Sequence, residues 1–254
     1  MTLFNKREKQ NRTHLYATRL PKISKNGNPN VRQFLHIVPL KTFDGCGKEK
    51  KTDNLENTTI QLHPKNPRYF IYKGKPLVLI TATEHYGSVL NKNFDYVRYL
   101  YETYDKRQTL TRCFLLFREL ESPDNPYSPC KPQPYEYLSP FPRTGPGEAL
   151  DGLPKFNLDE WNAVYFDRLH SFLSLASKYD IIVELVLFSN TYGDTVWSLN
   201  PFNAKNNINN VGNIHWQEYN TMRDEELFNK QKEYVKKIVR EVNRYDNIYF
   251  EVCN

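Results

Sequence analysis

Four places in the sequence hold residue types that could work on a hydroxyl-rich ligand. Glu84-His85-Tyr86-Gly87 sets a carboxylate, an imidazole and a phenol side by side, groups that can accept, donate and relay protons. A purely local role, His85 tying down its loop, fits the same run. Arg112 stands inside the apolar stretch Leu110-Thr111-Arg112-Cys113-Phe114. A guanidinium there demands a carboxylate, because a buried unpaired charge is very costly. A site carboxylate would serve, and so would Glu184 as a structural partner. From Tyr192 onward, rings and amides alternate through Trp197, Asn200, Phe202, Asn203, Asn206 and Asn207. Stacking rings and amides match the C–H faces and hydroxyls of sugars, although an ordered surface loop would look similar. The fourth place is Tyr249-Phe250-Glu251-Val252-Cys253-Asn254.

Residues of these kinds need a scaffold, and the hydrophobic pattern supplies one. Tyr69–Tyr72 and Leu77–Thr81 flank Lys73-Gly74-Lys75-Pro76, a hairpin signal with Gly at the turn. The second arm is almost wholly apolar, as expected of a strand buried on both faces. Asn93 or Asp95 can cap a helix running to about Tyr104, and Leu110–Phe117 reads as the next strand. A Pro-rich loop spans 118 to about 157. Asn157 or Asp159 then caps a helix to Lys178, with Trp161, Val164, Tyr165, Leu169, Phe172, Leu173 and Ala176 recurring at three and four. Ile181–Phe188 is a strand, 189 to about 222 a second long loop, 224–244 a helix and Ile248–Cys253 a strand. Strands alternating with helices make βαβ units and a parallel sheet of four strands. The long loops follow strands and the short ones precede them, the asymmetry of a (β/α)₈ barrel whose site lies at the strand C-termini. A doubly wound open sheet would call for a Gly-rich phosphate turn, and none is present.

Charge argues against nucleic acid as the partner. The chain carries a formal net charge of +6, but residues 1–55 hold 12 Lys or Arg against 4 Asp or Glu, while residues 56–254 hold 23 against 25. The excess sits in a leader, residues 1–58, that shows no sustained period and reads as mostly irregular. Such a leader can meet any polyanion without being a nucleic-acid site. Residues 59–254 form the second unit. Cys46, Cys113, Cys130 and Cys253 are irregularly spaced, which fits neither a disulfide framework nor a zinc site. No stretch has the length of a membrane span, and Met1–His14 lacks the apolar core of a signal peptide. The compartment stays open.

From about Ile60 to Asn254 the chain resembles the cellulase-like glycoside hydrolases of clan A, a (β/α)₈ group with two catalytic glutamates. The resemblance rests on the element order, on Arg112 in the second strand, on the regions of His85 and Trp197, and on Glu251-Val252-Cys253-Asn254, which matches the run-up to the Asn-Glu that ends the family's fourth strand. It implies an α/β fold of (β/α)₈ TIM-barrel type, truncated after about the fourth strand, with an N-terminal hairpin and an irregular leader. It further implies retaining hydrolysis of a poly- or oligosaccharide in the complete protein, without a cofactor. The acid/base is then expected immediately after Asn254 and the nucleophile on the seventh strand, so that this chain alone is expected to be an inactive fragment. Glu84, His85, Tyr86, Arg112, Tyr192, Trp197, Asn203, Asn207 and Asn254 are expected to line the substrate site, Asn254 holding a 2-hydroxyl and Arg112 orienting the nucleophile. Two other readings stand beside this one: a non-catalytic carbohydrate-binding half-barrel, and an adaptor that binds polyanions through its basic leader. Open sheet edges would favour self-association.

Overall fold

The computed structural model describes residues 58–81, 87–116, 130, 132–189, 191 and 193–253. Three short strands come first: β1 (Gln61–Leu62), β2 (Phe70–Tyr72) and β3 (Lys75–Leu77), an antiparallel sheet in that order. Helix α1 (Tyr96–Asp105) follows, capped by Asp95, whose carboxylate accepts from the Arg98 amide at 3.0 Å. Next come β4 (Leu110–Phe114), an antiparallel pair β5 (Arg143–Glu148) and β6 (Pro154–Phe156), and helix α2 (Ala163–Lys178). Strand β7 (Ile182–Phe188) leads through a short helix α3 (Asp194–Ser198) and a 3₁₀ turn at Trp216–Glu218 to α4 (Glu225–Val242) and β8 (Ile248–Cys253). Asp224 caps α4 by accepting from the Leu227 amide at 2.9 Å. No described helix is long and apolar enough to cross a membrane.

Strands β4, β7 and β8 form one parallel sheet in chain order, so the expected α/β class with a parallel sheet is present. One face of this sheet packs on α2 and α4. Cys113, Val183, Leu185 and Leu187 meet Leu169, Phe172, Leu173, Ala176, Tyr234, Ile238 and Val242 in one buried cluster. Side chains alternate between faces along a strand, and the opposite face differs in kind. Its lower end, at Leu110 and Ile182, is covered by Tyr72 and Leu77 of the first small sheet and by Leu79 just beyond it.

Four expectations need correction. The parallel sheet has three strands among the described residues, not four. The segment 77–81 does not lie buried on both faces: Val78 and Ile80 are 53% and 54% exposed. Instead of a ladder, Thr109 links it to β4. The Thr109 hydroxyl donates to the Val78 carbonyl at 2.7 Å and accepts from the Ile80 amide at 2.9 Å, while the Thr109 and Leu110 amides donate to the Ile80 carbonyl. Helix α2 starts later than the sequence suggests. Asn162 is its N-cap, and the Asn162 side chain donates to the Ser139 carbonyl at 3.0 Å. Asp159 is drawn off by Lys230 and Asn209, at 2.6 and 2.7 Å, and Trp161 stacks on Phe141 ahead of the helix. Finally, the Pro-rich loop contains the β5–β6 ribbon. A charge pair between Arg143 and Asp151 and the placement of Arg143 over the Phe156 ring at 3.9 Å hold it.

Candidate functional site

The non-helical face of the parallel sheet carries a charged layer at mid-height. Arg112 on β4 is the register partner of Glu184 on β7, and Glu184 in turn faces Tyr249 on β8. Glu251 lies one step further along, opposite Val186. The Arg112 guanidinium donates to the Glu251 carboxylate through Nε at 3.0 Å and through Nη2, and its Nε is 3.5 Å from Glu184. The Phe114 ring lies 5.2 Å from the guanidinium. The three charged side chains keep only 14%, 12% and 6% of their accessible surface, so water screens their interaction poorly. Burial, then the nearby charges of Glu184 and Glu251, push the Tyr249 phenol well above its ordinary range. Tyr249 therefore remains a neutral hydrogen-bonding group beside the two carboxylates.

The strand ends above this layer are fixed by phenols. Tyr165 and Tyr137 donate to the carbonyls of Leu115 and Leu116, just past β4. Tyr234 donates to the carbonyl of Leu187 at 3.2 Å. These bonds satisfy backbone acceptors where the sheet ladder stops. Cys253 shares the face of Glu251, two residues further along β8, and is exposed at the strand end. The Asn220 amide lies 3.7 Å from the Cys253 sulfur.

The residues singled out in the sequence meet different fates. Arg112 stands in the charged layer. Glu84, His85, Tyr86, Tyr192 and Asn254 lie outside the described residues. Trp197, Asn203 and Asn207 are 6%, 7% and 0% exposed. The Trp197 ring packs on Tyr219 with centroids 5.3 Å apart. Asn207 donates to the carbonyls of Pro201, Asn203 and Val211 and accepts from the Val211 amide. Asn203 donates to the Trp197 carbonyl at 3.1 Å and accepts from the Lys205 amide. Their amides thus stitch the loop between β7 and α4. Tyr249 and Cys253 share the face of the charged layer; the run that holds them was noted, but neither was given a role, and their alternation with Glu251 at a spacing of two was the available signal. Among the described residues no group of three His, Cys, Asp or Glu side chains could hold a metal ion.

Comparison with known proteins adds the following. Residues 131–247 match the family DUF6298, a domain of unknown function. No curated protein matches the sequence. Among solved structures, a Bacteroides vulgatus protein assigned provisionally to the glycoside hydrolases aligns at a TM-score of 0.48 with 12% identity, covering 81% of this chain and 33% of its own. The β-mannanase of the blue mussel Mytilus edulis aligns at 0.43 with 11% identity, covering 78% and 46%. The endo-1,4-β-mannanase of Rhizomucor miehei aligns at 0.44 with 13% identity, covering 78% and 48%. The chain thus spans between a third and a half of the length of these structures.

Proposed function

We propose that residues 59–254 supply part of the scaffold and sugar site of a (β/α)₈ glycoside hydrolase acting on a poly- or oligosaccharide. The observation that carries this reading is the Arg112–Glu251–Glu184 layer on the sheet face that the helices leave free. A sheet built for stability alone gains little from such a layer. Replacing a buried ion pair by well-packed apolar residues is commonly neutral or stabilising. Buried charge on the free strand face, below the end from which the long loops spring, fits a ligand site better. In this reading Arg112 is a fixed cation in the floor of the sugar site, and Glu184 and Glu251 position it. Tyr192 and Asn254 follow β7 and β8 in the chain, and Glu84, His85 and Tyr86 follow the segment that Thr109 fastens to β4; on this reading they belong to the same site, with the acid/base after Asn254.

The two carboxylates of this layer are poor candidates for the chemical step. Retaining hydrolysis uses two carboxyls about 5–5.5 Å apart, one attacking and one protonating the leaving oxygen. Glu251 and Glu184 are both engaged by one guanidinium. We therefore expect the 254-residue chain to bind saccharide without turning it over, in accord with the non-catalytic reading for this part of the molecule. The test uses Cys253 as a reporter. Manno-, gluco- and xylo-oligosaccharides at millimolar concentration are added during maleimide labelling, and each cysteine is followed by mass spectrometry. Protection of Cys253 but not of Cys130 supports the site; labelling of Cys253 indifferent to the whole panel sinks it. Hydrolysis by the chain that disappears in Glu84→Gln would move catalysis to Glu84.

A further inference from the structure

At the opposite end of the strands lies a groove of about 440 Å³, between the β2–β3 hairpin, the α1–β4 loop and the α2–β7 loop. Its volume falls within the roughly 300–1,000 Å³ of small-molecule sites. We propose that this groove is a second saccharide site, specific for a sugar that bears a carboxylate, such as a uronic-acid unit. The saccharide part rests on the carbohydrate reading given above; the anionic part rests on the groove itself.

Three features define the ligand. The first is an aromatic platform. Tyr104 stacks on Tyr179 with centroids 5.0 Å apart and planes 24° from parallel, and Tyr104 is 53% exposed. A broad open ring of this kind suits the C–H face of a pyranose. The second is charge. Lys73 is committed to Asp180 at 2.6 Å and lies 5.0 Å over the Tyr72 ring, which cancels the one acid of the groove lining. Lys75 and Arg107 also line the groove and make no ion pair with any described residue. Two uncompensated cations beside an exposed ring call for a ligand that is both ring-shaped and anionic. The third is what the charge excludes. A cationic ligand is disfavoured there, and a neutral one leaves Lys75 and Arg107 without a counter-charge.

Affinity electrophoresis of the full chain separates the possibilities. Gels contain polygalacturonate, a neutral glucomannan, or polyacrylate of matched charge density. Tyr104→Ala and the double variant Lys75→Gln/Arg107→Asn are compared with the parent. Asn is chosen at 107 because Arg107 has a φ of 55°, a conformation Asn tolerates. We expect polygalacturonate to retard the parent, and each variant to weaken binding about tenfold, the scale of one lost stacking or charged contact. Polyacrylate should retard parent and Tyr104→Ala alike. Circular dichroism establishes that the variants are folded. Absence of retardation by polygalacturonate, or retardation that both folded variants retain in full, overturns the proposal. Protection of Cys253 by neutral oligosaccharides is read at the other end of the sheet, so either site can fail while the other stands.

Discussion

Arg112 reaches past the central strand to Glu251: the guanidinium starts on β4, lies over the β7 position of Glu184 and donates its Nε to the β8 carboxylate at 3.0 Å. One side chain thereby ties together all three parallel strands. Arg112→Met leaves two carboxylates without their cation and should cost about 3–5 kcal/mol of stability, the usual penalty for breaking a buried pair. Adding Glu251→Gln to Arg112→Met should restore part of that loss. Urea unfolding of the two variants measures the difference, and a double variant no more stable than the single one contradicts the coupling.

The buried phenols set the alkaline limit of stability. Burial raises the pKa of Tyr72, Tyr137, Tyr165, Tyr219, Tyr234 and Tyr249 above the ordinary 10.0. A phenol whose folded pKa is raised contributes stability in full below the unfolded value. That stability is lost as pH rises, because the unfolded chain releases its protons first. Melting temperature should therefore fall steeply above about pH 10. An ultraviolet titration should show one tyrosine class ionising normally and a second ionising only with unfolding.

Gly212 and Gly152 both have left-handed backbones, with φ of 83° and 76°, but only one is crowded. A Cβ on Gly212 would lie 1.9 Å from the Phe202 carbonyl oxygen, whereas one on Gly152 meets nothing within 4 Å. Gly152→Ala should cost about 1–2 kcal/mol, the conformational penalty alone. Gly212→Ala must also displace backbone and should cost clearly more, by thermal melting. Equal losses would show that the loop yields freely at Gly212.

Asn207→Asp probes the loop stitch. An aspartate cannot donate to the carbonyls of Pro201, Asn203 and Val211 that the amide now holds. Each buried acceptor left unpaired costs about 1–3 kcal/mol. The variant should lose stability and gain proteolytic sensitivity between 199 and 213. A fully stable variant with weakened sugar binding would return Asn207 to the role of ligand contact.

The legible parts of this fold were those with local causes. Asp95 caps the helix it precedes, and the apolar period of α4 and the β-branched run of β7 read directly from the chain. Arg112 announced itself as a charge in an apolar strand, and its need for a carboxylate pointed to the layer it joins. Long-range causes were not legible. Nothing near Asn207 tells that its amide meets three backbone carbonyls rather than a ligand. Nothing near Asp159 tells that Lys230, 71 residues away, takes it from the helix it could have capped. The exposed faces of Val78 and Ile80 depend on how Thr109 holds the segment, which no periodicity encodes.

That threonine has a kinetic meaning. Where neighbouring strands are fastened by rows of amides, residues 78–80 are buttoned to the sheet through one hydroxyl and one carbonyl. A seam with so few fasteners opens without the rest of the sheet, as a separate low-stability unit. The amide of Ile80 should then exchange with deuterium long before those of Val183 or Leu185. Thr109→Val, which keeps the shape and removes the button, should unfasten the first segment while the three parallel strands stay closed.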